Sequence, residues 1–157
     1  AAMLLRTAKA SLPAMREACR RQLSSIRDNG SKIFCSKVIV KSDNHGGDGA
    51  FAACDIKRGE LVERGIVRRI PELDGMKNPY VFTWSDNIPN HVWAIGSGCA
   101  TFYNTSYDPN TSMTRHFDED RFEIFAIKDI KEGEELTHTY KSKKWRTCFV
   151  EDERLHK

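Results

Sequence analysis

The sequence has no run of 18 apolar residues, so no helical membrane span is expected. The pair Leu4-Leu5 near the N-terminus is too short for a secretory signal core. Cysteine pairing motifs are missing as well. The five cysteines, at 19, 35, 54, 99 and 148, form no C-x-x-C or C-x-C, and no histidine stands at a zinc-finger spacing. That scatter argues against a structural zinc site, and the odd count argues against a disulfide framework. Reduced thiols in an intracellular protein are the expectation. Strong charge of one sign is also absent. The 25 Lys and Arg against 22 Asp and Glu leave a net charge of +3, too little for the dense basic face of a nucleic-acid binder. There is no low-complexity segment. What remains is 157 residues, 39% hydrophobic and 30% charged: one domain, with enough apolar surface to bury a core.

Residues 1–34 differ from the rest, with seven Lys or Arg against two acids, Glu17 and Asp28. Leu12, Met15, Cys19, Leu23 and Ile26 recur at three- and four-residue steps, a helical stripe. Pro13 suits a first turn and Asn29-Gly30 a C-terminal cap. The pattern predicts an amphipathic helix over 13–28, packed on the domain or on a partner subunit. An Arg-rich targeting segment and a basic contact surface are the other readings. After Gly30 the grammar changes to short apolar runs and tight turns. Strands are expected at 37–40, 50–53, 61–62 extended by 66–67, 80–84, 91–95, 101–103 and 121–126. The fold class is mostly β with minor α.

Several stretches carry chemistry. Asp55-Ile56-Lys57-Arg58-Gly59-Glu60-Leu61 and Asp129-Ile130-Lys131-Glu132-Gly133-Glu134-Glu135-Leu136 are two versions of one phrase, each following a Phe-Ala pair. They predict two similar strand-turn-strand units. Gly46-Gly47-Asp48-Gly49 permits close backbone approach to a ligand, although no helix follows it as a dinucleotide-binding fingerprint requires. Thr101-Phe102-Tyr103 runs into a polar knot, Asn104-Thr105-Ser106, and then a rigid turn, Asp108-Pro109-Asn110. Leu136-Thr137-His138-Thr139-Tyr140 closes the last strand. Taken singly, a glycine turn and a core edge explain the second and last of these.

Taken in this order, the blocks resemble the SET-domain protein lysine methyltransferases over about residues 36–141. The likeness rests on Gly47-Asp48-Gly49-Ala50-Phe51-Ala52, Asp55-Ile56 with Gly59-Glu60, and Asn104-Thr105-Ser106 with Asp108-Pro109-Asn110. It continues through Phe125-Ala126, Asp129-Ile130, Gly133-Glu134-Glu135-Leu136-Thr137 and Tyr140. The compact form is most similar to the small viral SET-only enzymes that methylate histone H3. The resemblance implies small antiparallel sheets around a C-terminal pseudoknot, an exception to the rule against threaded chains. It divides the chain into an N-terminal helical extension (1–34), a SET domain (35–141) and a tail closing the substrate channel (142–157).

The resemblance also implies S-adenosylmethionine as cofactor, S-adenosylhomocysteine as product, and no metal. By position, Gly47, Asp48, Gly49 and Tyr80 would meet the methionine end of the cofactor. Asn104 would bind its amino or carboxylate end, the Thr105 backbone its adenine, and Trp145 would cover the adenine. Tyr140 would be the catalytic tyrosine. Phe102, Tyr103 and His138 would line the channel for the target lysine. Methyl transfer needs alignment more than acid-base machinery, and a dry channel beside a sulfonium disfavours the lysine ammonium. The partner is then a lysine-containing protein or peptide, histone tails among them, with Asp118-Glu119-Asp120 and Glu123 as a candidate acidic groove. A homodimer fits the type; a membrane and direct nucleic-acid binding do not. Nuclear localisation leads, ahead of cytoplasmic or organellar. The alternative is a SET module that binds a peptide or assembles with a partner without turnover. It draws on Thr105, where relatives carry His, and on Asp48, an acid beside the cofactor carboxylate.

Overall fold

The computed structural model describes residues 30–85 and 91–150. The helix expected at 13–28 lies outside them. Strands β1 (Val38–Ser42) and β2 (Asp48–Ala52) form a hairpin with Val38 opposite Ala52. A five-stranded antiparallel sheet follows, in the order β4 (Phe82–Thr83), β5 (Trp93–Gly96), β3 (Leu61–Arg69), β8 (Arg121–Ala126), β7 (Thr111–His116). Strands β6 (Asn104–Thr105) and β9 (Thr137–His138) pair in parallel. Among the described residues, helix is confined to the 3-10 turns Ala100–Phe102 and Phe117–Glu119 and the short α-helix Thr147–Val150.

Alternation explains β8: Phe122, Ile124 and Ala126 face the core, while Arg121, Glu123 and Phe125 stay half-buried. Strand β3 breaks its own alternation with a bulge. Leu61 faces Phe125 and Glu63 faces Ile124, so Val62 is the extra residue. Val62 and Glu63 are both fully buried as a result. Around them the core gathers Trp84, Tyr103, Ile130 and Leu136.

The repeated phrase has a structural meaning that its sequence only hinted at: the two copies bind each other. Ile56 and Ile130 exchange backbone hydrogen bonds, at 2.9 and 2.8 Å. Asp129 accepts from the Arg58 N–H at 3.0 Å and from Lys57 Nζ at 2.8 Å. Asp55 reciprocates, accepting from the Glu132 N–H at 3.1 Å and from Lys131 Nζ at 3.5 Å. Gly59 (φ +87°) and Gly133 (φ +84°) turn the chain at matching places in the left-handed region. Their N–H groups then donate to the opposite copy's Phe-Ala pair, at Ala126 and Ala52.

Two expectations are corrected and one strand is added. Thr101-Phe102-Tyr103 is not a strand. Ala100–Phe102 is a 3-10 turn, and the chain becomes extended only at Tyr103. The Glu63 carboxyl holds the start of that turn, Oε1 accepting from the Cys99 N–H at 2.7 Å. The run 80–84 shortens to Phe82–Thr83, because the Tyr80 N–H turns to Asn78 Oδ1 and the Val81 carbonyl accepts from Arg146. Strand β7, unread in the sequence, forms the sheet edge beside β8.

Candidate active site

The site is assembled by the last strand. Residues 133–136 run beside β2, with the Leu136 N–H donating to the Ala50 carbonyl at 2.7 Å. The chain then crosses to β6. Asn110 clips it there: Nδ2 donates to the Glu135 carbonyl at 2.8 Å, and Oδ1 accepts from the Thr137 N–H at 2.9 Å. The Thr111 hydroxyl adds a bond to the Thr137 carbonyl at 2.8 Å. The Asp108-Pro109-Asn110 turn thus serves to present one amide to two backbone groups at the entry to β9, those of Glu135 and Thr137.

One end of this construction is polar. Asn104 Nδ2 donates to Asp43 Oδ2 at 2.9 Å and to Glu135 Oε1 at 2.7 Å. Asp43 Oδ1 also accepts from the N–H groups of His45 (2.8 Å) and Gly47 (2.9 Å). The Gly47 N–H is the main cause holding the Asp43 carboxyl below its ordinary range, and Asn104 adds to it. Gly49 lets the backbone pack closely against this cluster. A Cβ there would stand 3.0 Å from Glu135 Oε1, 3.2 Å from the Phe51 ring and 3.3 Å from Asn104 Nδ2.

A second environment is a cavity of about 40 Å³ whose walls include Tyr80, Phe82, His138, Tyr140, Arg146 and Phe149. That is far below the roughly 300 Å³ of a drug-sized ligand pocket, so it admits a slender chain. The Tyr140 hydroxyl donates to the Tyr103 carbonyl at 2.7 Å, and the Tyr140 N–H donates to Thr105 Oγ1 at 3.2 Å. Phe149 lies 5.2 Å from the Tyr140 ring. His138 stacks on Tyr103 at 5.7 Å and tilts against Tyr140 at 5.3 Å. Burial, with Arg115 adding, pushes the imidazole down to about 4, so it is neutral at physiological pH. Burial pushes the Tyr140 phenol up to about 12, with Arg146 pulling the other way.

The expected site residues divide between these environments. Gly49 and Asn104 meet at the carboxylates, and Gly47 joins through Asp43. Asp48 is exposed, with Oδ1 3.5 Å from the Ser42 hydroxyl across the hairpin. Tyr80 is 68% exposed and stands on the cavity wall with Tyr140. Thr105 braces Tyr140. Tyr103 contributes its carbonyl from the core, and Phe102 is 37% exposed; neither lines the cavity. Trp145 stacks on His91 at 4.7 Å and is not part of the wall. Three of the acids expected in a groove are paired. Asp120 pairs with Arg69 and accepts from Trp84 Nε1, Glu119 pairs with Arg121, and Glu123 pairs with Arg121 and His116.

Arg146 was missed altogether. Its guanidinium binds the carbonyls of Gly75, Asn78 and Val81, which fastens the tail to that loop. Inside the basic run Lys141-Ser142-Lys143-Lys144-Trp145-Arg146, nothing marks it as buried. Asp43 did carry a signal: an Asx turn ahead of glycines. Among the described residues no group of three or more His, Cys, Asp or Glu is placed to hold a metal ion. No helix among them is long and apolar enough to cross a membrane.

The SET domain family model matches residues 47–141, more than half of the chain, and this chain belongs to that family. A variant-silencing SET domain-containing protein of Plasmodium falciparum is 29% identical over 125 residues, covering 69% of this chain and 5% of that protein. A Plasmodium falciparum structure titled as a candidate histone methyltransferase superposes with a TM-score of 0.54 at 20% identity, covering 68% of this chain and 95% of that one. A humanised mutant of the Chaetomium thermophilum Polycomb Repressive Complex 2 gives 0.57 at 27% identity, covering 69% of this chain and 15% of that one. The chain therefore spans a small part of two of these three relatives. The observed sheets are those of the SET fold, and the likeness to viral enzymes gains nothing from these relatives.

Proposed function

We propose that this chain is a protein-lysine N-methyltransferase using S-adenosylmethionine, with histones as one substrate class. The observation that carries the reading is the Tyr140 hydroxyl, held on the Tyr103 carbonyl inside a cavity narrow enough for one aliphatic chain. The polar cluster fits the cofactor: Gly49 brings bare backbone against it, where a Cβ would crowd Glu135 and Asn104, and Asp43 and Glu135 supply carboxylates for an ammonium. Asn104, Gly47 and Gly49 would hold it there.

When bound, S-adenosylmethionine supplies a methyl group on a sulfonium, whose C–S bond breaks as the amine's lone pair forms a C–N bond. The chain's part is alignment and exclusion of water. Phe82, Tyr140 and Phe149 would enclose the lysine methylenes. The Tyr140 oxygen, its own proton committed to Tyr103, presents lone pairs to the amine. The Tyr103 carbonyl, which holds the Tyr140 hydroxyl, could also receive weak C–H donors from the methyl group. Neutral His138 adds no charge to the wall.

The test is methyl transfer from radiolabelled S-adenosylmethionine to mixed core histones and to a cell lysate, with Tyr140→Phe alongside. Label in a protein band, lost in the variant, supports the enzyme. Calorimetric binding of S-adenosylhomocysteine without label supports the non-catalytic module, as Thr105 in the family's His position suggests. No label and no binding overturns both.

A further inference from the structure

We propose that Arg146 keeps the incoming target lysine in its neutral, nucleophilic form; this rests on the lysine-methyltransferase reading of the cavity. The residue is 3% exposed. Its Nε donates to the Gly75 carbonyl at 2.9 Å and Nη1 to the Val81 carbonyl at 3.0 Å. Nη2 donates to the Asn78 carbonyl, and the Ser142 hydroxyl lies 3.5 Å from Nη1. The rings of Trp93 and Phe149 flank it at 4.9 and 4.7 Å. Every partner is a dipole or a π face, and none is a carboxylate. Carbonyls satisfy the N–H groups but leave the positive charge standing, in a setting where charge is poorly screened.

That charge lines the cavity that holds Tyr140, and no Asp or Glu among the described residues lines it. An ammonium entering beside a fixed cation is disfavoured, while a neutral amine is not. The lysine therefore gives its proton to solvent water, and the neutral amine is the form that occupies the cavity. The carbonyl clasp that docks the tail against the 75–81 loop is the same contact that places the charge, so channel closure and lysine deprotonation share one side chain.

The other groups facing this space are Tyr80, Tyr140, His138, Arg115 and Lys141. Cys148 neighbours the guanidinium, and Glu135 acts on Tyr140. With the imidazole held near 4 and the Tyr140 phenol near 12, neither changes charge between about pH 7 and 10.

The experiment is the pH profile of kcat, at saturating core histones, for methyl transfer by wild type, Arg146→Met, Arg146→Gln and Cys148→Ser. In Arg146→Met the midpoint moves up by roughly one pH unit, about a tenfold loss below it. Arg146→Gln moves it as far, because it keeps a donor for the clasp and loses the charge. Cys148→Ser keeps the wild-type midpoint. A second readout needs no turnover. A fluorinated tyrosine at position 140, whose phenol is more acidic, titrates higher in Arg146→Met than in wild type, whether or not cofactor is present. An unmoved midpoint in Arg146→Met or in Arg146→Gln overturns the inference and leaves the enzyme reading intact. Absence of label with wild type removes both.

Discussion

The two environments joined by the β6–β9 pair are chemical opposites. On one, Asp43 and Glu135 bracket the Asn104 amide beside Gly49. On the other, a cavity without carboxylates holds the buried guanidinium of Arg146 beside Tyr140. Asn104 and Tyr140 are separated by little more than Thr105, whose backbone pairs with His138 and whose hydroxyl accepts the Tyr140 N–H. A parallel pair of two residues per strand thus separates a region suited to a cationic ligand from one hostile to cations. Such a division suits a reaction whose two substrates each tend to be cationic and must meet with only one of them charged.

The most damaging break in this comparison is at its junction. Tyr140→Phe is expected to lower methyl transfer by roughly 10²-fold or more, while the loss of its bond to the Tyr103 carbonyl costs the fold only about 1 kcal/mol. Radiolabel transfer measured beside a thermal melt checks both halves. Next is the acidic side: Asn104→Ala is expected to weaken S-adenosylhomocysteine binding about tenfold by calorimetry, since it leaves Asp43 and Glu135 facing each other without a shared donor. Unchanged affinity would remove Asn104 from the cofactor site.

The third prediction compares two buried titratable groups. Burial lowers His138 from 6.5 to about 4, so the folded chain resists a proton that the unfolded chain accepts. His138 alone makes stability fall as pH drops from 6.5 towards 4. Burial raises Glu63 from 4.5 to about 7, against the pull of the Cys99 N–H. Glu63 alone makes stability fall as pH rises from 4.5 towards 7. Each swing is on the order of 3 kcal/mol, and in the window from 4.5 to 6.5 they largely offset each other. Urea melts across that window are expected to be nearly flat for wild type, to rise with pH in Glu63→Gln and to fall with pH in His138→Gln. Parallel slopes in all three proteins would show that neither group titrates as its burial dictates. The smallest effect belongs to the repeat: Lys57→Met and Lys131→Met each remove an exposed ion pair, and the slight lowering of the melting temperature disappears at high salt.

Much of the site was legible because its residue types are unusual for their places. Asn104-Thr105-Ser106 followed by Asp108-Pro109-Asn110 is too polar for a strand end with no further task, and the structure shows Asn110 binding β9. Tyr140 follows shortly after β9, in a stretch whose residues 136–138 alternate in burial. The repeat was legible as a repeat, but its mutual pairing was not, because two like segments do not say whether they stack, separate or bind. The 3-10 turn at Ala100–Phe102 was hidden because its cause, the Glu63 carboxyl, lies 36 residues away. The acidic turn misled for the same reason: its counter-charges, Arg69 above all, come from another strand.

By itself the sequence determined the mostly β class, the family and the order of the blocks, since alternation, turn residues and spaced motifs are local properties. Tertiary structure alone decided which charges are neutralised and which stand uncompensated. Arg146 is one of six residues in a basic run, and only the carbonyls of the 75–81 loop, more than 60 residues away in sequence, draw it into the core. Electrostatics depends on who lies within a few ångströms, and that is a property of the folded chain.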